Sequence, residues 1–148
     1  MHRKVAAALV AALALAVASC GGSESETLTG AALVRRIETA CREGQREATK
    51  QTRAARGSAS QETFLAALLA GQKAELDALD GVTTTGAAKA DFEAFKEGVQ
   101  TRIDLVERVA SADRADVQRT LRAVQPEAEV AARKLQAAAR SLGVEGCS

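Results

Sequence analysis

The chain is poor in the side chains that most active sites use. Its 148 residues include no Trp or Tyr, three Phe, one Pro and one His. That histidine is His2, at the extreme start. Ser-His-Asp and Cys-His catalysis both need an imidazole beside the nucleophile. Di-iron helical bundles need Glu-x-x-His pairs, and zinc sites draw on His with Cys. None of these can be assembled here. There is no Cys-x-x-Cys-His for haem, and the 11 glycines are scattered and form no phosphate-cradling loop. The only acid–base groups left to tune toward neutral pH are carboxylates. Composition therefore points away from an enzyme, a cofactor or a metal centre.

Long apolar runs are also missing. The longest is Val5 to Val17, 13 residues rich in Ala and Leu, well short of the ~20 that span a bilayer. It follows the positive group His2, Arg3, Lys4, so residues 1–19 read as a signal peptide. The run closes on Val17-Ala18-Ser19-Cys20, which resembles the lipobox of bacterial lipoproteins: a branched apolar residue, two small ones, then cysteine. The resemblance implies cleavage before Cys20, a lipid on its sulfur, and a place on the extracytoplasmic face of the cell membrane. Residues 20–28, led by Gly21, Gly22 and Ser23, read as a flexible tether.

Cutting residues 1–19 from 148 leaves 129, enough for one domain, over residues 29–148. Losing Arg3 and Lys4 takes the 20 basic residues to 18 against 19 acidic, a net −1 that predicts no nucleic-acid partner. Three cysteines become one lipid attachment point and two thiols in an oxidising setting. That favours a Cys41–Cys147 disulfide over a pair of free thiols.

From Thr29, a plausible N-cap, to about Arg56, Leu33, Ile37, Cys41, Gly44 and Ala48 recur at helical spacing. Ser58 and Gln61 have the form of a capping box before a second helix bearing Phe64, Leu65, Leu68, Leu69, Gln72, Leu76 and Leu79. A third, about residues 87–112, carries Phe92, Phe95, Val99, Ile103 and Val106. All three Phe read as core. Asp113 is placed to cap a fourth helix, about residues 113–142, that carries Val117, Leu121, Val124, Ala128, Ala131, Leu135, Ala138 and Leu142 to a stop at Gly143. Pro126 in its middle removes a bond to the carbonyl of Arg122, so a kink or split is expected near 122–126. Long amphipathic helices on short connections predict an all-α, antiparallel up-down-up-down four-helix bundle closed by the disulfide. Alanine, 34 of the residues, favours a dense core over a roomy cavity.

The segment Ile37-Glu38-Thr39-Ala40-Cys41-Arg42-Glu43-Gly44, taken with the terminal Ala139-Arg140-Ser141-Leu142-Gly143-Val144-Glu145-Gly146-Cys147, resembles a group of small secreted or lipid-anchored actinobacterial helical proteins. The likeness implies architecture and location and no activity.

Two charge features remain. Asp91, Glu93, Glu97 and Asp104 lie along the third helix and read as a solvated face paired with Lys89 and Lys96. Glu38 with Arg42, Asp104 with Arg108 and Glu129 with Arg133 form i, i+4 pairs. Residues 30–56 carry a balance of +4, residues 61–112 of −4, and residues 113–142 of +2. With the first and fourth helices as neighbours, one side of the bundle is expected to be basic. Arg35, Arg42, Arg46, Lys50, Arg53 and Arg56 are the candidates for meeting an anionic surface. The expected function is a non-enzymatic, membrane-anchored module contacting an envelope protein or anionic polymer. The alternative is a small-ligand or lipid-binding bundle with a pocket near Phe64, Phe92 and Phe95.

Overall fold

The computed structural model describes residues 25–55 and 60–147. The signal peptide, Cys20, most of the tether and Arg56 lie outside the described residues. Among those described are four helices, α1 (Gly30–Ala54), α2 (Gln61–Asp77), α3 (Ala88–Ala110) and α4 (Val117–Leu142), and two very short strands, β1 (Glu26–Thr27) and β2 (Val82–Thr83). The fold is all-α, and Cys41 is bonded to Cys147 with the Cα atoms 5.4 Å apart. No helix among the described residues is long and apolar enough to cross a membrane.

Local chemistry sets the boundaries, though not always as the sequence suggests. Thr29 takes the extended conformation of an N-cap. The cap of α2 is Ser60, whose hydroxyl accepts from the Thr63 N–H at 3.2 Å. The expected Ser58–Gln61 box is therefore displaced, with Gln61 already inside the helix. The N-cap of α4 is Asp116, while the Asp113 carbonyl accepts the N–H groups of Asp116 and Val117 in the turn before it. Helix α4 runs unbroken through Pro126, so the alternative of a split falls away. The proline and Arg122 are both exposed, and water can take the bond that the Arg122 carbonyl loses.

The helices pack α1 on α2, α2 on α3 and α3 on α4. Cys41 meets Glu75 and Gly44 meets Gly71, so numbers rise along α1 as they fall along α2. Gly98 meets Leu135 while Arg108 meets Glu127, the same opposed sense for α3 and α4. Contrary to expectation, α1 and α4 are not a closely packed pair. They share a core cluster through Leu33, Ile37, Leu135 and Ala138, and the tail after α4 makes the covalent link.

Phe92, Phe95, Val99, Leu79 and Ile37 form the driest part of that core, each fully buried. A second cluster gathers Leu65, Leu105, Val109, Val124 and Ala131. Phe64 is not core: it is 66% exposed. The opposed register sets it level with the last turn of α1, where Gln51 to Ala54 are themselves exposed.

Residues 26–28, expected to belong to a flexible tether, are instead held against the turn between α2 and α3. Glu26 donates its N–H to the Gly81 carbonyl at 2.8 Å and Leu28 to that of Thr83 at 2.9 Å. This ladder is parallel, pairs Glu26 with Val82 and Thr27 with Thr83, and packs the partly buried Leu28 against the core. Two residues of backbone pairing are too short to leave a period-two signature in the sequence.

Candidate functional site

Two features stand out. The first is on the outer side of α1. Arg35, Arg42, Arg46, Lys50 and Arg53 follow one another at steps of seven, four, four and three residues, which keeps them within one narrow stripe of a 3.6-residue helix. All five are exposed, and Leu33, Ile37, Cys41 and Gly44 are buried on the opposite face. At a rise of 1.5 Å per residue the stripe is about 27 Å long. Lys50 pairs with Glu47 at 3.2 Å, and that carboxyl, also bonded by Gln51, is held below its usual range by the two contacts. Among the described residues Arg35, Arg42, Arg46 and Arg53 have no ion-pair partner. Arg42 instead donates to the Thr39 hydroxyl at 3.0 Å, so the expected Glu38–Arg42 pair is absent.

On α4 and the turn before it three basic residues are ion-paired, while Arg122, Lys134 and Arg140 have no ion-pair partner among the described residues. Arg114 pairs with Glu62, Arg119 with Asp116 and Arg133 with Glu129. Arg108 reaches across to Glu127 at 2.6 Å in place of Asp104. Because α1 and α4 are not a closely packed pair, the exposed cations of α1 form a stripe of their own. The carboxylates of α3 are dispersed: Asp91 accepts from Ser141, Glu93 from Lys96, and Asp104 from Gln100 at 2.7 Å.

The second feature lies on the inner side of α1. Gly143, at φ +75°, ends α4 in the left-handed conformation; its N–H bonds to the Arg140 carbonyl and that of Val144 to Ala139. This terminus turns the chain back and buries Val144 in the core. Three residues later Cys147 meets Cys41, which is only 3% exposed. Across from them, Gly44 and Gly71 let α1 and α2 approach until a Cβ on either would fall within 2.8 Å of the other's carbonyl oxygen. That close crossing carries Glu75 inward, where it is 8% exposed with Oε1 3.3 Å from Cys41 Sγ.

A bridged sulfur has no proton to give, so the contact suits the neutral acid, with Glu75 donating toward sulfur. Burial pushes the Glu75 carboxyl above the ordinary carboxylate range, against an opposing pull from the Arg102 guanidinium. Gln72, 5% exposed, has its Oε1 buried without a hydrogen-bond partner. Cys41, Cys147, Gln72, Glu75 and Arg102 all line one cavity of about 200 Å³.

Sequence reasoning placed Cys41 and Cys147 together but missed Glu75. Its position seven residues after Leu68, on the apolar face of α2, was the available signal. Gln72 sat in that face as an apolar-side residue whose amide was given no role.

Compared with protein-family models, with curated proteins and with solved structures, the chain matches none.

Proposed function

We propose that this protein is a lipid-anchored, extracytoplasmic helical module that works by contact and not by catalysis, and that the outer stripe of α1 is its contact surface. The observation that carries this reading is the run of five exposed cations along α1, only one of them ion-paired among the described residues. A row of guanidinium groups spaced over about 27 Å suits a repeating anion, such as lipid headgroups or a polyanionic wall polymer, better than a single small ligand.

The sequence around Cys20 supports the location. Five residues separate Cys20 from Glu26, where the ladder begins, and the six steps between them cannot span more than about 20 Å. The N-terminal end of α1 would then stand close to the anchoring surface, with Arg35 at the near end of the stripe. The likeness to small secreted or lipid-anchored actinobacterial helical proteins points the same way.

The domain from residue 25 onward should cosediment with vesicles containing anionic lipid and release as salt rises from low to moderate concentration. Changing Arg35, Arg42, Arg46 and Arg53 to Gln should abolish that binding. Salt-insensitive or absent binding by the unaltered domain refutes the surface assignment.

A second reading, a lipid- or small-ligand-binding bundle, draws on an open groove of about 960 Å³ between α3 and α4, whose lining includes Ala94, Gly98, Val130, Ala131 and Ala138. It is not where that reading first placed a pocket, since Phe92 and Phe95 are fully buried. Lipid co-purifying with the protein, and lost on Val130→Glu, would favour it.

A further inference from the structure

We propose that the Cys41–Cys147 bridge is an exchange-active disulfide that reacts with anionic thiols, and that Glu75 supplies the proton to the departing Cys41 sulfur. The inference does not depend on the contact surface of α1, which lies on the opposite face of the same helix.

The geometry assigns distinct parts to the two sulfurs. Cys41 is buried, and the Glu75 carboxyl lies 3.3 Å from its sulfur. Cys147 is only half-buried, and it lines a second depression, of about 600 Å³, in which Cys41 has no part. That depression also carries Arg102 and Arg140 against the single carboxylate of Glu145, a balance that draws in an anionic nucleophile. The accessible sulfur is thus the one to be attacked, and the enclosed sulfur is the one that leaves.

An incoming thiolate forms a bond to Cys147 Sγ as the Cys41–Cys147 bond breaks, and the electron pair departs on Cys41. A thiolate released in that enclosed site is costly, but Glu75 hands it a proton and becomes the carboxylate, which then accepts the Cys41 S–H. A second thiolate attacks the external sulfur of the mixed disulfide, so that the external disulfide forms and Cys147 leaves as a thiolate that takes a proton from water. Two external thiols are oxidised to one disulfide, and the bridge is reduced to two thiols. Closing runs in reverse, with the Glu75 carboxylate taking the Cys41 proton.

Proton return to Glu75 has a route. The cavity it shares with Cys41 and Cys147 carries the polar side chains of Gln45, Gln72 and Arg102 in its lining, and its volume of about 200 Å³ admits several waters. The unpartnered Gln72 Oε1 is the acceptor that would order one of them. Arg102, from α3, is the only charged group besides Glu75 lining that cavity among the described residues; Cys41 faces it from α1 and Cys147 from the tail.

The test is the rate at which the oxidised full chain, carrying Cys20→Ser to prevent scrambling, loses its bridge. Acid-quenched, alkylated samples read by mass between pH 5.5 and 8 give the rate per thiolate for anionic 2-mercaptoethanesulfonate and for cationic cysteamine. Native protein should be reduced faster than it globally unfolds, and faster by the anionic thiol, with the preference shrinking as salt is added. Glu75→Gln should slow reduction tenfold or more at the acid end and flatten the pH profile. Glu75→Asp should keep the profile at a lower rate.

Reduction no faster than global unfolding overturns the proposal. So does a Glu75→Gln protein whose melting temperature changes while its rate per thiolate and pH profile match the unaltered chain, because Glu75 would then be a structural group only.

Discussion

Replacing Gly44 with alanine should destabilise the protein even though alanine is the better helix former. In an open stretch of helix the change gains about 1 kcal/mol. Here the new Cβ lands 2.6 Å from the Gly71 carbonyl oxygen and 3.1 Å from the Glu75 Cβ. Carbon and carbonyl oxygen meet without repulsion at about 3.3 Å, so α1 and α2 must part by more than half an ångström. Neither obstacle is the movable end of a long side chain. Overpacking costs about 1–3 kcal/mol, and a clash with backbone belongs in the upper half of that range, so after the propensity gain a net loss of about 1–2 kcal/mol remains. In a domain of this size that lowers the melting temperature by roughly 3–10 °C. Thermal unfolding of the full chain, followed by circular dichroism, reads it directly. Two comparisons tie the loss to the crossing. Gly98→Ala meets mainly the Leu135 side chain, at 3.0 Å, and should cost less. Adding Gly71→Ala to Gly44→Ala should cost less than the two single losses summed, because the helices have already parted. A melting temperature that rises on Gly44→Ala would refute the close crossing and, with it, the argument that the crossing is what carries Glu75 inward.

Phe64→Ser should leave stability within about 0.5 kcal/mol of the starting protein, as expected for an exposed position, whereas Phe92→Ala should cost about 3–5 kcal/mol in chemical denaturation. Pro126→Ala restores an N–H for the Arg122 carbonyl at an exposed site and should stabilise α4 by up to about 3 kcal/mol; an unchanged denaturation midpoint would mean the helix already absorbs the proline without loss. The raised pKa of Glu75 means that the folded state holds its proton more tightly than the unfolded state does. Its favourable contribution is therefore complete below the ordinary carboxylate range and declines as pH rises from there through the higher folded value. The stability difference between the unaltered protein and Glu75→Gln, measured from pH 4 to 8, should shift against the unaltered protein as pH rises; a pH-independent difference would refute the burial argument. Reducing the bridge removes a cross-link between residues 106 apart, worth about 4–5 kcal/mol on the chain-entropy account, so the reduced protein should unfold at markedly lower denaturant.

Helix number, helix extents to within a few residues and the cysteine pairing were legible because each rests on a simple rule: apolar spacing along a helix, a glycine stop at residue 143, two cysteines left to pair once Cys20 is set aside. Three things were not. Phe64 lies on the same apolar stripe as Leu68, and only the register of α1 against α2 reveals that nothing described covers it. The neighbour relation of α1 and α4 depends on the tail from Val144 to Cys147, which makes the link that helix-to-helix packing was expected to make. Glu75 is a charged residue where spacing asks for an apolar one, and a single sequence offers no means of telling such an inward carboxylate from a solvated one. The paired glycines 44 and 71 hold the explanation, but only once the two helices are set side by side.

The parallel ladder between β1 and β2 has a mechanical consequence. If Cys20 is the point of attachment, any drag on the domain pulls first on Glu26. The ladder passes part of that load to Gly81 and Thr83, in the turn between α2 and α3, the middle of the chain. Force therefore enters the fold at two points, the start of α1 and the α2–α3 turn, and does not simply peel α1 away from its end. A two-residue strand that contributes little to stability can act in this way as a strain relief for the tether.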